Sequence, residues 1–219
     1  MKPVAFLSLA LALAALSSPA VAAGFSRSDN FVVMAAEKSL ADEALAQAEK
    51  YRREIARQWL GAELPPSVGQ TVLHVEITDE GDSAHTWVID DPRRQYHRVW
   101  VNGSRRQVLG STLRHEISHV VMATRFPQGL PLWINEGIAS LNDDAERVAT
   151  RRRIIGWYAQ TDNWPPLARI LNAEAMRAHD RETYSVAASL TEYLLSLDDR
   201  ATLVAFAATA AQRNWDEAL

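Results

Sequence analysis

The sequence contains no cysteine among its 219 residues. This absence excludes disulfide bonds, thiolate ligands for zinc, a catalytic thiol and a lipid attached to an N-terminal cysteine. Any zinc site in this chain must therefore be built from histidine and carboxylate side chains.

An excess of positive charge is also absent. Lysine and arginine number 23 against 27 aspartates and glutamates, for a formal net charge of −4. This mild acidity argues against nucleic acid as the main partner. Two arginine clusters, at 105–106 and 151–153, admit interpretation as a binding patch, but most clusters of this kind are solvated helix faces.

A long apolar run occurs only at the start of the chain. Lys2 precedes VAFLSLALALAAL, and the following SSPAVAA places the small residues Ala20 and Ala22 before a cleavage site. This order is typical of an export signal, and the run is too short to span a bilayer comfortably. We therefore predict a signal in 1–23, a single domain in 24–219, and export to the bacterial periplasm or beyond, with no stable membrane anchor after signal removal.

Hydrophobic periodicity predicts a few strands followed by a run of helices. Ser39 and Asp42 resemble a capping box at the start of the first helix. The predicted strands cover 30–35, 71–78, 84–90 and 97–103, and the predicted helices cover 39–60, 105–125, a segment from 131, 146–159, 183–197 and 200–213. This order indicates the α+β class, with a small mixed or antiparallel sheet packed on a mostly helical C-terminal part.

The segment LRHEISHVVM, residues 113–122, contains two histidines four positions apart. On a helix, His115 and His119 lie on one face and can bind one metal ion, with Glu116 beside them. A catalytic zinc takes three protein ligands, so a third must follow. Glu136 is the candidate, because the short FPQGL connection lets its helix pack back on the histidine helix. His179 is the rival third ligand.

HEISH, followed after sixteen residues by the glutamate of LPLWINEG, resembles the gluzincin metallopeptidases, in particular the small bacterial peptidase MA-like domains. The likeness extends over most of the chain after the signal. It implies a zincin-like fold, a Zn²⁺ ion bound by His115, His119 and Glu136, and Glu116 as the general base. It also implies a peptide or protein substrate.

The resemblance suggests further roles. Tyr184 is the candidate donor to the oxyanion, with Tyr193 and His179 as weaker candidates. The segment HRVWVNGS, 97–104, resembles the edge strand on which these enzymes lay an extended substrate. Trp100 and Trp133 either line the cleft or belong to the core, and core is the more frequent place for such residues.

Two departures from the family limit what the resemblance implies. No Gly-x-Met-Glu-Asn segment is present, which argues against an aminopeptidase. Ser140 stands where the thermolysin group has an acidic residue, so no partner for a histidine ligand is identified.

The expected function is that of an exported zinc-dependent metallopeptidase, and specifically an endopeptidase. The alternatives are a non-enzymatic zinc protein that binds peptides and a zinc amidase acting on cell-wall material. A base at Glu116 disfavours a structural zinc site, which has no use for one.

Overall fold

The computed structural model describes residues 24–66, 70–91, 94–176 and 180–213, so the predicted export signal lies outside the described residues. The strands are β1 Gly24–Arg27, β2 Phe31–Ala35, β3 Thr71–Ile77, β4 Ser83–Asp91 and β5 Arg94–Gly103. The helices are α1 Lys38–Leu60, α2 Arg105–Val108, α3 Ser111–Arg125, α4 Leu132–Ser140, α5 Ala145–Thr161, α6 Leu167–Leu171, α7 Arg181–Leu197 and α8 Arg200–Gln212. The predicted α+β class is confirmed. Among the described residues, no helix has the length and apolar character needed to cross a bilayer.

The five strands form one mixed sheet in the order β1-β2-β3-β5-β4. Strand β1 pairs antiparallel with β2. Strands β2 and β3 are parallel, and so are β3 and β5. Strands β4 and β5 form an antiparallel hairpin. The expectation that 97–104 forms an edge strand is wrong, because β5 lies between β3 and β4. The edge on this side of the sheet is β4.

The two faces of the sheet differ in burial. Leu73 and Val99, which are paired across β3 and β5, are fully buried on the inner face, and helices α1 and α3 contact the sheet. The next residues, His74 and Trp100, stack on the outer face with ring centroids 4.9 Å apart. Trp100 is 41% exposed on this outer face, whereas Trp133 is in the core.

The helix predicted over 105–125 is two helices with a break at Leu109 and Gly110. A Cβ at Gly110 would lie 2.4 Å from the carbonyl oxygen of Arg106, so the chain turns where only glycine fits. Helix α2 begins with a capping box between Ser104 and Gln107. The capping box predicted at Ser39 is wrong, because α1 begins one residue earlier, after Glu37, which makes no side-chain cap bond.

Helix α4 packs closely on α7 at Gly137, the residue after Glu136. A Cβ at Gly137 would lie 2.0 Å from Thr191 Oγ1 and 2.9 Å from the Ala187 carbonyl oxygen. Glycine at this position therefore lets the two helices approach and fixes the depth at which Glu136 sits.

We expect Gly137→Ala to lower the free energy of unfolding by about 1–3 kcal/mol, because overpacking forces α4 away from α7. Gly156→Ala is the matched control, since Gly156 lies within α5 and nothing lies within 4 Å of an added Cβ. That control should raise stability by roughly 0.5–1 kcal/mol through helix propensity. Chemical denaturation measures both, and equal stabilities of the two variants would contradict the packing argument.

Candidate metal centre

Helix α3 presents His115 and His119 on one face, as their spacing of four residues predicts. Their ring centroids are 5.1 Å apart and the rings meet edge to face. Both side chains are largely buried, at 14% and 12% exposure. Helix α4 packs on α3 and carries Glu136, whose side chain is 13% exposed.

The structure brings Glu136 to both imidazoles. Its Oε2 lies 3.7 Å from Nε2 of His115 and 3.6 Å from Nε2 of His119. These separations are too long for hydrogen bonds. They approach the distance of about 3.4 Å expected between two donors that each lie about 2.1 Å from a shared zinc ion in tetrahedral geometry. Two imidazole nitrogens and one carboxylate oxygen are also the donor types of a catalytic zinc, so the chemistry of these three residues suits the ion.

Glu116 lies beside this cluster. Ligand atoms of His115, Glu116 and His119 all lie within 4.8 Å of one another. Glu116 lies in α3 and is only 5% exposed. Its Oε2 accepts a hydrogen bond of 2.5 Å from the hydroxyl of Thr86. A buried carboxylate is thus held at the edge of the candidate metal centre.

Asp143 is a partner of His115 that the sequence did not predict. Its Oδ1 lies 3.0 Å from Nδ1 of His115, which directs the other ring nitrogen, Nε2, towards Glu136. Ser140, four residues after Glu136, is buried, and its carbonyl accepts from Arg151. One signal was present in the pair Asp143-Asp144, because Asp144 caps α5 and leaves its neighbour free for another role.

Two arginines of α5 hold Asp143 in place. Nη1 of Arg147 lies 3.3 Å from Oδ1, and Arg151 contacts Oδ2. Burial raises the pKa of Asp143, but the hydrogen bond with His115 and the charges of His115, Arg151 and Arg147 outweigh burial and lower this pKa to about 2. Arg151 is therefore no member of a solvated helix face, since its side chain is 13% exposed.

The charge of Asp143 acts in turn on His115. Burial lowers the pKa of this imidazole, but the hydrogen bond with Asp143, the contact with Glu136 and the negative charges of Asp143 and Glu116 raise that pKa to about 10. The surrounding carboxylates therefore favour positive charge at His115. A divalent metal ion satisfies the same preference.

Tyr184 lies in the first turn of α7, which Asp180 caps through the backbone N–H of Thr183. Burial raises the pKa of the Tyr184 phenol, and the negative charges of Glu136 and Glu116 raise it further. The phenol thus stays protonated in the field of these two carboxylates and can donate a hydrogen bond. The weaker candidate Tyr193 is 59% exposed, and His179 lies outside the described residues.

Comparison of the chain with models of protein families, with curated proteins and with solved structures gave no match in any of the three.

Proposed function

We propose that this protein is a zinc-dependent metallopeptidase of the gluzincin type, specifically an endopeptidase. The observation that carries the proposal is the approach of Glu136 Oε2 to Nε2 of both His115 and His119, at 3.7 and 3.6 Å. Glu116, beside these donors, supplies the base that a structural metal site does not need. Export is proposed with this activity, and it depends on 1–23 alone.

When bound, zinc would lower the pKa of a water molecule from about 15.7 to about 7 and would polarise the scissile carbonyl. His115, His119 and Glu136 would hold the ion. Glu116 accepts the proton of the attacking water and passes it to the leaving amine. Tyr184 donates its phenolic hydrogen to the negative charge that develops on the carbonyl oxygen.

Strand β4 is the proposed place for an extended substrate. It is the last strand of the sheet, and it contacts α3, which carries Glu116. Backbone groups on the outer side of an edge strand are free to pair with a peptide. This assignment replaces the expectation for 97–104, because β5 is paired on both sides.

The proposal is tested by incubating a diverse peptide mixture with the zinc-loaded protein and identifying the products by mass spectrometry. A chelator-treated sample and a zinc-restored sample serve as controls. We expect internal cuts that disappear on zinc removal and return on zinc addition. Cuts confined to amino termini would reassign the protein to the aminopeptidases, and a zinc-bound protein that cuts no peptide would overturn the proposal.

Tyr184→Phe removes only the phenolic hydroxyl. We expect kcat to fall by about 10²–10³-fold with KM nearly unchanged, because loss of an oxyanion donor acts on the transition state. Tyr193→Phe is the matched control on the same helix and should keep wild-type kcat, since that side chain is largely exposed. Steady-state kinetics on one peptide measures both, and equal kcat values for the two variants would remove Tyr184 from the mechanism.

A further inference from the structure

Thr86 makes a hydrogen bond with Glu116 that has no role in the mechanism proposed above. It lies in β4 opposite Val99 of β5, and Val99 is fully buried on the inner face, so the Thr86 side chain faces α3. Its hydroxyl donates to Glu116 Oε2 at 2.5 Å. The residues two positions before and after it in β4, Ala84 and Val88, are apolar.

We propose that Thr86 is a positioning residue that orients the carboxylate of Glu116. The inference rests on the proposed function. A hydroxyl donates one hydrogen, so Oε2 of Glu116 is occupied by Thr86 and Oε1 is left to accept the proton of the attacking water. Because threonine is restricted about χ1, the strand backbone limits the directions that this hydroxyl can take.

Valine would fill the same space as threonine in a strand and has a high preference for strands. Packing therefore accounts for a β-branched residue at this position and leaves the hydroxyl to be explained. Glu116 explains it, because a buried carboxylate needs a hydrogen-bond donor and hydrogen bonds to charged groups are among the stronger ones.

The position of Thr86 also connects the base to the edge where substrate is proposed to pair. A peptide bound along β4 would restrict the motion of this strand and, through Thr86, the motion of Glu116. Binding energy from parts of a substrate remote from the scissile bond then appears in kcat rather than in KM. Longer peptides should accordingly be turned over faster, and this gain should depend on Thr86.

The test compares wild type, Thr86→Val and Thr86→Ser on a short peptide and on an extended peptide containing the same scissile bond. We expect Thr86→Val to lower kcat on the extended peptide roughly tenfold, with KM and zinc affinity unchanged. The kcat advantage of the extended peptide should shrink in this variant. Thr86→Ser, which keeps the hydroxyl, should stay within about threefold of wild type. Thr124→Val is the control, because that hydroxyl bonds the Val120 carbonyl on the same helix, α3.

Crystal structures of the zinc-loaded wild type and Thr86→Val give a readout that needs no turnover. We expect one Glu116 orientation in wild type and a turned or multiple orientation in the variant. The inference would be overturned if Glu116 kept its orientation in Thr86→Val and kcat were unchanged. It would also be overturned if Thr86→Val lost stability and zinc affinity along with kcat, because Thr86 would then have a general structural role. If wild type cuts no peptide, the proposed function fails, while the Glu116 orientation still decides the role of Thr86.

Discussion

Replacing Glu116 with glutamine is expected to lower kcat for peptide cleavage by about 10²–10⁴-fold while zinc affinity stays near the wild-type value. Glutamine keeps the shape of the side chain and can still accept a hydrogen bond from Thr86, but it cannot accept the proton of water. The loss should therefore appear in the chemical step. Steady-state kinetics and zinc titration on the same preparation measure the two quantities.

Glu146→Gln is the matched control for this substitution. Glu146 is an exposed residue in the first turn of α5, and its replacement removes one negative charge on a helix other than α3. We expect this variant to keep wild-type kcat. A Glu116→Gln protein that loses zinc together with activity would contradict the account, because Glu116 would then be a ligand in place of a base.

Replacing Asp143 with asparagine is expected to lower zinc affinity by roughly 10–100-fold, the effect typical of partners that orient a metal-binding histidine. The variant removes the charge that faces Nδ1 of His115 at 3.0 Å. It also leaves the guanidinium groups of Arg147 and Arg151 without their shared carboxylate. Arg147 keeps its ion pair with Asp82, but the charge of Arg151 is then uncompensated and weakens the binding of a further cation. Competition with a chelating dye measures the affinity.

Asp144→Asn makes the same change of charge one residue away. Asp144 caps α5 by accepting a hydrogen bond from the backbone N–H of Arg147, and asparagine is an equally good N-cap. Helix α5 should therefore stay in place, and zinc affinity should stay near wild type. Equal affinities for the two variants would show that Asp143 contributes only through long-range charge, or not at all.

Most of the fold follows from local patterns. Helices such as α1 and α7 have long apolar stripes, and the predicted boundaries lie within two residues of the observed ones. Strand β1 was missed because four residues carry too little periodicity. Gly110 was accepted within a helix because an isolated glycine in a helical pattern does not by itself mark a break. The central place of β5 depends on pairing between distant segments, which alternation along one strand cannot reveal.

The candidate site likewise contains residues that local patterns predict and residues that only tertiary packing brings in. His115 and His119 are one helical turn apart. Glu136 lies on the next helix, α4, and the short connection before it lets the sequence predict that these three residues come together. Asp143 reaches His115 only through the turn after α4, which places residues 28 positions apart in contact. Thr86 reaches Glu116 across 30 positions, through the way α3 lies on the sheet. Contacts of this kind depend on tertiary packing, so local sequence patterns do not show which side chains will meet.

The most direct test of the central claim is X-ray absorption spectroscopy at the zinc edge on the zinc-loaded protein, with Glu136→Gln alongside. We predict one zinc per chain with nitrogen and oxygen donors at about 2.0–2.2 Å and outer-shell scattering from two imidazoles. Glu136→Gln should keep the two imidazoles and change the oxygen shell. A protein that binds no zinc, or a zinc shell with fewer than two imidazoles, would contradict the account.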